Sequence, residues 1–288
     1  MKKIWLLFIS VLVLVPTVCV NAFADAPASG QLTQCVWETA QKPYGYCVTT
    51  TPGSTNPDFV YYLHGAGLEQ NAWISSKEPI WQYWSAHAIQ APTVITLGFG
   101  PIFLLAQKNQ AKASGLLEFV SQTYIPEIEK DLGGLKGRRI LLGESMGGFN
   151  AIQLIMKRPE MFSKVALTCP DVANLSPYAT KAEKQAFMNS TGADATHTDG
   201  ELAMDRIFFA DDGSWNDAAP LTAGPKYLGQ QTPPLYISEG VQDQFGFYPG
   251  TKAFVQIALS KGVDTQWSPV QGAHCSYDIA GVSNFLAN

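Results

Sequence analysis

The chain has 288 residues, 46% of them hydrophobic and 15% charged, with 19 basic against 24 acidic side chains and a net charge of −5. That apolar supply is ample for a folded core. The mildly acidic balance offers no electrostatic footprint for nucleic acid or anionic lipid, so neither is expected as a partner.

Lys2 and Lys3 open the chain and an uncharged apolar run follows from Ile4 to Val20. Ala22 and Ala24 then supply the small-residue spacing that a signal peptidase reads. Residues 1–24 are therefore expected to be a signal peptide cleaved after Ala24, and the protein to be secreted or periplasmic. An uncleaved anchor would use the same apolar run, but Pro16 and the Ala-Phe-Ala exit favour processing. Cys19 follows Thr17-Val18, so the small residue that a lipidation signal needs before its Cys is missing. Cleavage leaves 264 residues, suited to a single domain, and no further run is long enough for stable membrane insertion.

Four of the five cysteines lie beyond that leader: Cys35, Cys47, Cys169 and Cys275. No C-x-x-C pair suggests zinc or dithiol redox chemistry. An even count in an oxidising compartment suggests disulfides. Cys35 and Cys47 flank the turn-like Lys42-Pro43-Tyr44-Gly45, which suggests a cross-hairpin bridge. Cys169 ends a strand and Cys275 follows a candidate base, which suggests a second bridge near the site.

Strand-like and helix-like stretches alternate, which predicts an α/β fold with a mostly parallel central sheet and helices on both faces. The expected strands are Val36–Thr39, Tyr46–Thr50, Phe59–Leu63, Thr93–Leu97, Arg139–Leu142, Lys164–Thr168, Pro234–Ser238 and Thr265–Val270. The expected helices are Pro79–Ile89, Gly115–Leu132, Gly147–Lys157, Thr251–Lys261 and Tyr277–Leu286. Residues 171–232 break the rhythm and read as a small insertion before the acid-bearing strand. It is either a cap over the site or a surface excursion.

The strongest chemical signal is Gly143-Glu144-Ser145-Met146-Gly147, directly after the apolar Ile140-Leu141-Leu142 and at the head of a helical stretch. A sharp strand-to-helix turn exposes the serine hydroxyl and aims the helix N-terminus and the Met146 N–H at a developing oxyanion. Ser145 is thus the candidate nucleophile. A serine hydroxyl needs a base. His87 sits among Trp81 and Trp84, where packing is expected, and His197 lies in the polar Asp194–Asp199 run, a solvated loop more than a metal site. His274 follows the last strand, where the order Ser, acid, His puts the base. Asp243, in the loop after Pro234–Ser238, is the preferred acid. Glu239, Asp264 and Asp171 are rivals. Ala66 and Gly67, in Tyr62-Leu63-His64-Gly65-Ala66-Gly67, are candidates for a second oxyanion donor, with His64 ordering that loop.

Taken together, HGAG, GESMGG, Asp243 and His274 resemble the esterase D group of α/β-hydrolases, over about residues 58–288. That group includes S-formylglutathione hydrolases, feruloyl and acetylxylan esterases and mycolyltransferases. Leu68-Glu-Gln-Asn71 and Ser214–Pro220 add weaker similarity. The resemblance implies an α/β-hydrolase fold and acyl transfer through a Ser145–His274–Asp243 triad, with no cofactor and no metal. Glu144 stands where that group commonly has a histidine, and an export signal argues against a cytosolic glutathione thioester.

The expected activity is a serine esterase acting on a small-molecule or polysaccharide-linked ester, with short acyl or aromatic groups favoured. Tyr178, Phe187, Phe208, Phe209 and Trp215 in the insertion, and Trp73, Trp81, Tyr83 and Trp84 after the oxyanion loop, are the aromatics available to border a compact cleft. An acyltransferase would use the same triad, and a hydrolase-fold binding protein would usually lack one of its members. Nothing in the sequence fixes the oligomeric state.

Overall fold

The computed structural model describes residues 30–38, 44–98, 100–105 and 115–288. The expected signal peptide lies outside them. Eight strands form one sheet: β1 (Leu32–Val36), β2 (Gly45–Thr50), β3 (Phe59–Leu63), β4 (Thr93–Gly98), β5 (Arg139–Glu144), β6 (Lys164–Thr168), β7 (Leu235–Gly240) and β8 (Thr265–Val270), in the order β1-β2-β4-β3-β5-β6-β7-β8. β1 and β2 are antiparallel to their neighbours, and every pairing from β4 to β8 is parallel.

Period-two alternation divides the strand side chains between two helical layers. Val60, Tyr62, Ile140 and Leu142 face α1 (Ala72–Ser76), α2 (Glu78–Ala86) and the C-terminal helix α11 (Ile279–Ala287), meeting Trp73, Ile80, Trp84, Val282 and Leu286. Tyr61, Leu63, Leu141, Val165 and Ile237 face the other way. They meet α3 (Leu116–Phe119), which runs through a π-helical turn (Val120–Tyr124) into α4 (Ile125–Asp131), together with α5 (Met146–Lys157) and α10 (Phe247–Ser260). Both faces are covered, as parallel sheets require.

The first strand is displaced from its expected position, running Leu32–Val36 instead of Val36–Thr39. It is an edge strand with Leu32 and Trp37 more than half exposed, so no buried stripe marks its start. Pairing fixes it instead: Cys35 lies directly opposite Cys47, and the two are bonded.

The 171–232 segment contains α6 (Lys181–Thr191), α7 (Ala195–Phe208), α8 (Asp212–Asn216) and α9 (Pro220–Tyr227). The first is set by a capping box, in which Thr180 and Glu183 exchange hydrogen bonds. Asp211 and Ser214 do the same for α8, and Pro220 opens α9. Phe208, Phe209 and Trp215 close on Phe103, Met146 and Phe149. The segment is therefore anchored on the helix that begins at Ser145.

Candidate active site

Ser145 sits between β5 and α5 with φ 52° and ψ −122°, a region that a residue with a Cβ occupies only when its surroundings hold it there. Those surroundings are backbone. Its N–H donates to Thr168 O (3.2 Å), and its carbonyl accepts from Gly148 N (2.8 Å), Phe149 N (3.1 Å) and Asp171 N (3.0 Å). The turn tolerates no side chain at Gly147, where a Cβ would stand 2.0 Å from Leu63 O.

The other members arrive from the same end of the sheet. Asp243 lies in the loop after β7 and His274 in the loop after β8. His274 Nε2 is 2.9 Å from Ser145 Oγ, and its Nδ1 is 2.5 Å from Asp243 Oδ2. Asp243 Oδ1 accepts from Phe245 N (2.7 Å), which fixes the carboxylate plane. Of the rival acids, Asp264 precedes β8 at the opposite end of the sheet. Glu239 and Asp171 are buried near Asp243.

Two contacts hold the His274 loop. Cys275 is bonded to Cys169 at the end of β6, with both residues at positive φ. The Gln244 side chain accepts from His274 N (3.0 Å), while the Gln244 carbonyl accepts from Asp194 N at the head of α7 (3.2 Å). Gln244 therefore ties the insertion to His274, a role with no motif to announce it. His197 stacks edge-on against Phe245 (4.5 Å), which lies 4.6 Å from the His274 ring. His197 is also paired with Asp194, the N-cap of α7, and is helical where a solvated loop is expected.

In the oxyanion loop, Gly65 makes the close approach: a Cβ there would stand 3.3 Å from Ser145 Cβ. Ala66 and Gly67 follow it on the exposed side, in a turn closed by Leu68 N to Gly65 O (3.3 Å). Met146 is buried beside Phe149 and Trp215. His64 is buried with Nδ1 2.9 Å from Gly65 O, and burial lowers its pKa. His87 is exposed and stacks on Tyr83 at 4.0 Å.

Glu144, the last residue of β5, meets a fully buried Lys77 at 3.1 Å. Its second oxygen accepts from Tyr62 OH and from Ser76 Oγ (3.2 Å). Lys77 also lies over the Tyr277 ring at 4.3 Å. Burial pushes the ammonium pKa down and Glu144 opposes that shift. The residue before Ser145 is therefore pinned to the junction of α1 and α2. A separation of 67 residues hides the pair from any local pattern.

The aromatics expected near a cleft are mostly core. Trp73 and Trp84 are fully buried under the sheet, and Phe208, Phe209 and Trp215 fill the anchor of the insertion. Phe245 and Phe247 are the rings beside His274.

The Esterase family model matches residues 39–246. No curated protein matches the chain. Among solved structures, an S-formylglutathione hydrolase from Agrobacterium tumefaciens aligns over 90% of this chain and 93% of its own, at 18% identity and TM-score 0.59. A ferulic acid esterase aligns over 89% and 94%, at 17% identity and TM-score 0.54. Brefeldin A esterase, a bacterial homologue of human hormone-sensitive lipase, aligns over 89% and 76%, at 17% identity and TM-score 0.60.

Proposed function

The chain belongs to the Esterase family and is a carboxylic ester hydrolase with the α/β-hydrolase fold, and we propose that it is an exported serine esterase working through an acyl-enzyme on Ser145. The observation that carries this reading is the unbroken contact from Ser145 Oγ through both His274 nitrogens to Asp243.

In this reading His274 Nε2 takes the proton of Ser145 as Oγ attacks the ester carbonyl, while Asp243 holds the Nδ1–H and stabilises the imidazolium. The tetrahedral oxyanion is met by the Met146 N–H at the head of α5 and by an N–H of the Ala66–Gly67 turn. His274 returns the proton to the leaving alcohol, and the acyl group stays on Ser145. Water, deprotonated by the same imidazole, then attacks the acyl carbonyl, and the Oγ–acyl bond breaks as His274 returns the proton to Ser145 and the acid leaves. Every step uses side chains and backbone of this chain.

Export is supported by the leader-like N-terminus and by two disulfides, which persist in oxidising compartments. Phe245 and Phe247 against His274 support a compact acyl or aromatic ester as substrate. A fluorophosphonate probe with intact mass tests the nucleophile: one adduct on the wild type and none on Ser145→Ala is expected, and equal labelling of both rejects it. Nitrophenyl esters from acetate to palmitate, run beside methyl ferulate and a triglyceride emulsion, test the substrate class. A kcat/KM that climbs with chain length, or activation at the oil–water interface, would overturn it.

A further inference from the structure

Behind His274 lie five carboxyl side chains. They are Asp243, Glu239 at the end of β7, Asp171 after β6, and Glu201 and Asp205 on α7, and they act electrostatically on one another. Asp171, Asp205, Glu239 and Asp243 are each at most 4% exposed. Five anions cannot share such a volume, because each is desolvated and repelled by the next. Arg206 acts on Asp205 and is turned by its Nε toward the Pro177 carbonyl (2.6 Å). Among the described residues, donors gather at metal spacing only at Cys169, His274 and Cys275, where the two sulfurs are bonded to each other. Protons therefore balance the cluster.

The hydrogen bonds indicate where the charge stays. Asp243 receives two N–H donors, Phe245 N and His274 Nδ1, so the negative charge belongs there. Glu239 is fully buried, and neither of its oxygens accepts a hydrogen bond. Its neighbours are Asp243, Asp171 and Thr251, whose hydroxyl is a neighbouring donor that favours the ionised form and is shared with the Pro170 carbonyl (3.4 Å). A carboxylate in that position would be a buried anion with at most the shared Thr251 hydroxyl as donor, beside a second anion. The neutral acid instead carries an O–H, and Asp243 is the acceptor beside it.

We propose that Glu239 is a positioning residue, held as the neutral acid and donating its O–H to Asp243, so that the triad is backed by a fourth side chain. Burial first, then the charge of Asp243, raises the Glu239 pKa far above the carboxylate range. The donated bond gives Asp243 a third anchor, from β7 itself, and holds its second oxygen on His274. Neutrality at Glu239 also keeps a second negative charge off the imidazole, which would otherwise hold His274 protonated and idle.

This inference rests on the esterase reading, and the test separates the two. The second-order rate of fluorophosphonate labelling is measured from pH 5 to 9 on wild type, Glu239→Gln and Glu239→Leu, with Ser145→Ala as blank and thermal unfolding as a check on folding. The groups facing Glu239 are Asp243, Asp171 and Thr251, and those facing Asp243 also include His274 and Glu201. Glutamine keeps a neutral donor, so its rate should stay within about threefold of wild type and its acidic limb should not move. Leucine removes the donor at similar volume, so the rate should fall about ten- to a hundredfold. An acidic limb lowered by about half a unit or more in Glu239→Gln would mean that an anion had been removed, and would overturn the proposal. A wild-type rate in a folded Glu239→Leu would overturn it too. If the leucine variant does not fold, the glutamine profile decides. Failure of the wild type to label at all would instead reject the esterase reading.

Discussion

Lys77→Met isolates the contribution of the buried pair next to Ser145. Lys77 is fully buried and Glu144 is 5% exposed, so removing the ammonium leaves a carboxylate with two hydroxyl donors, Tyr62 and Ser76, and no countercharge. Breaking a buried pair from one side costs about 3–5 kcal/mol, whereas replacing both partners with neutral groups of similar size is often nearly neutral. A domain of this size loses about 2 °C in Tm per kcal/mol, so Lys77→Met should lower Tm by about 6–10 °C. Adding Glu144→Gln should restore most of that loss, because glutamine accepts from the same hydroxyls without a charge. Calorimetry on the wild type, the two singles and the double measures the coupling directly. A Lys77→Met variant within about 2 °C of wild type, or a double no more stable than the lysine single, would refute the reasoning.

Ser145→Ala should reduce nitrophenyl acetate turnover by about three orders of magnitude or more with Tm preserved, and near-normal turnover would end the nucleophile assignment. The Cys169–Cys275 bond closes a 106-residue separation. Replacing both cysteines with alanine should cost about 4–5 kcal/mol by loop entropy and lower kcat, read by calorimetry and ester turnover, and an unchanged Tm would contradict this. Burial, with Asp205, raises the Glu201 pKa to about 8, above its unfolded value near 4.3. The folded state thus binds the extra proton, and stability should fall as pH rises toward 8. Between pH 6.5 and 8 the lowered pKa of buried His64 acts below the window and the Lys164 pKa, brought down to about 8, acts above it, while Asp171, Asp205 and Glu239, all raised well above the carboxylate range by burial, add to the same fall. Calorimetry across that window should show a falling Tm whose slope is reduced in Glu201→Gln, and a slope unchanged by that variant would remove Glu201 as a contributor.

The parallel sheet and the sharp turn at Ser145 were legible because their signals are local. Ile140–Leu142 reads as a buried strand, and the glycines of GESMGG mark the only backbone able to make the turn, as the 2.0 Å clearance at Gly147 shows. His274 was legible by order in the chain. What was hidden depends on distant partners. β1 begins where pairing with β2 puts it and not where an apolar stripe would. Lys77 reads as an ordinary surface lysine until Glu144 is found beside it. Gln244 and Phe245 carry no motif, yet one holds the His274 backbone and the other lies against its ring. Trp73 and Trp84 read equally well as cleft or core, and only the sheet face they occupy decides for core.

The two buried polar clusters near the triad balance charge in opposite ways, and this determines how each can respond to its surroundings. Glu144 is paired with the Lys77 ammonium and held by two hydroxyls, so that cluster acts as a strut between β5 and the start of α2. The carboxyls around Asp243 are neutralised by protons, whose number follows the solution. Two of those carboxyls, Glu201 and Asp205, belong to α7 of the 171–232 segment, and the same helix touches the site again through His197 on Phe245 and Asp194 on Gln244. A change in proton count at Glu201 therefore acts on the docking of α7, while Glu239, fully buried at the end of β7, is held as the neutral acid against Asp243 in the proposal above. The insertion can thus loosen with rising pH before the triad itself loses its geometry.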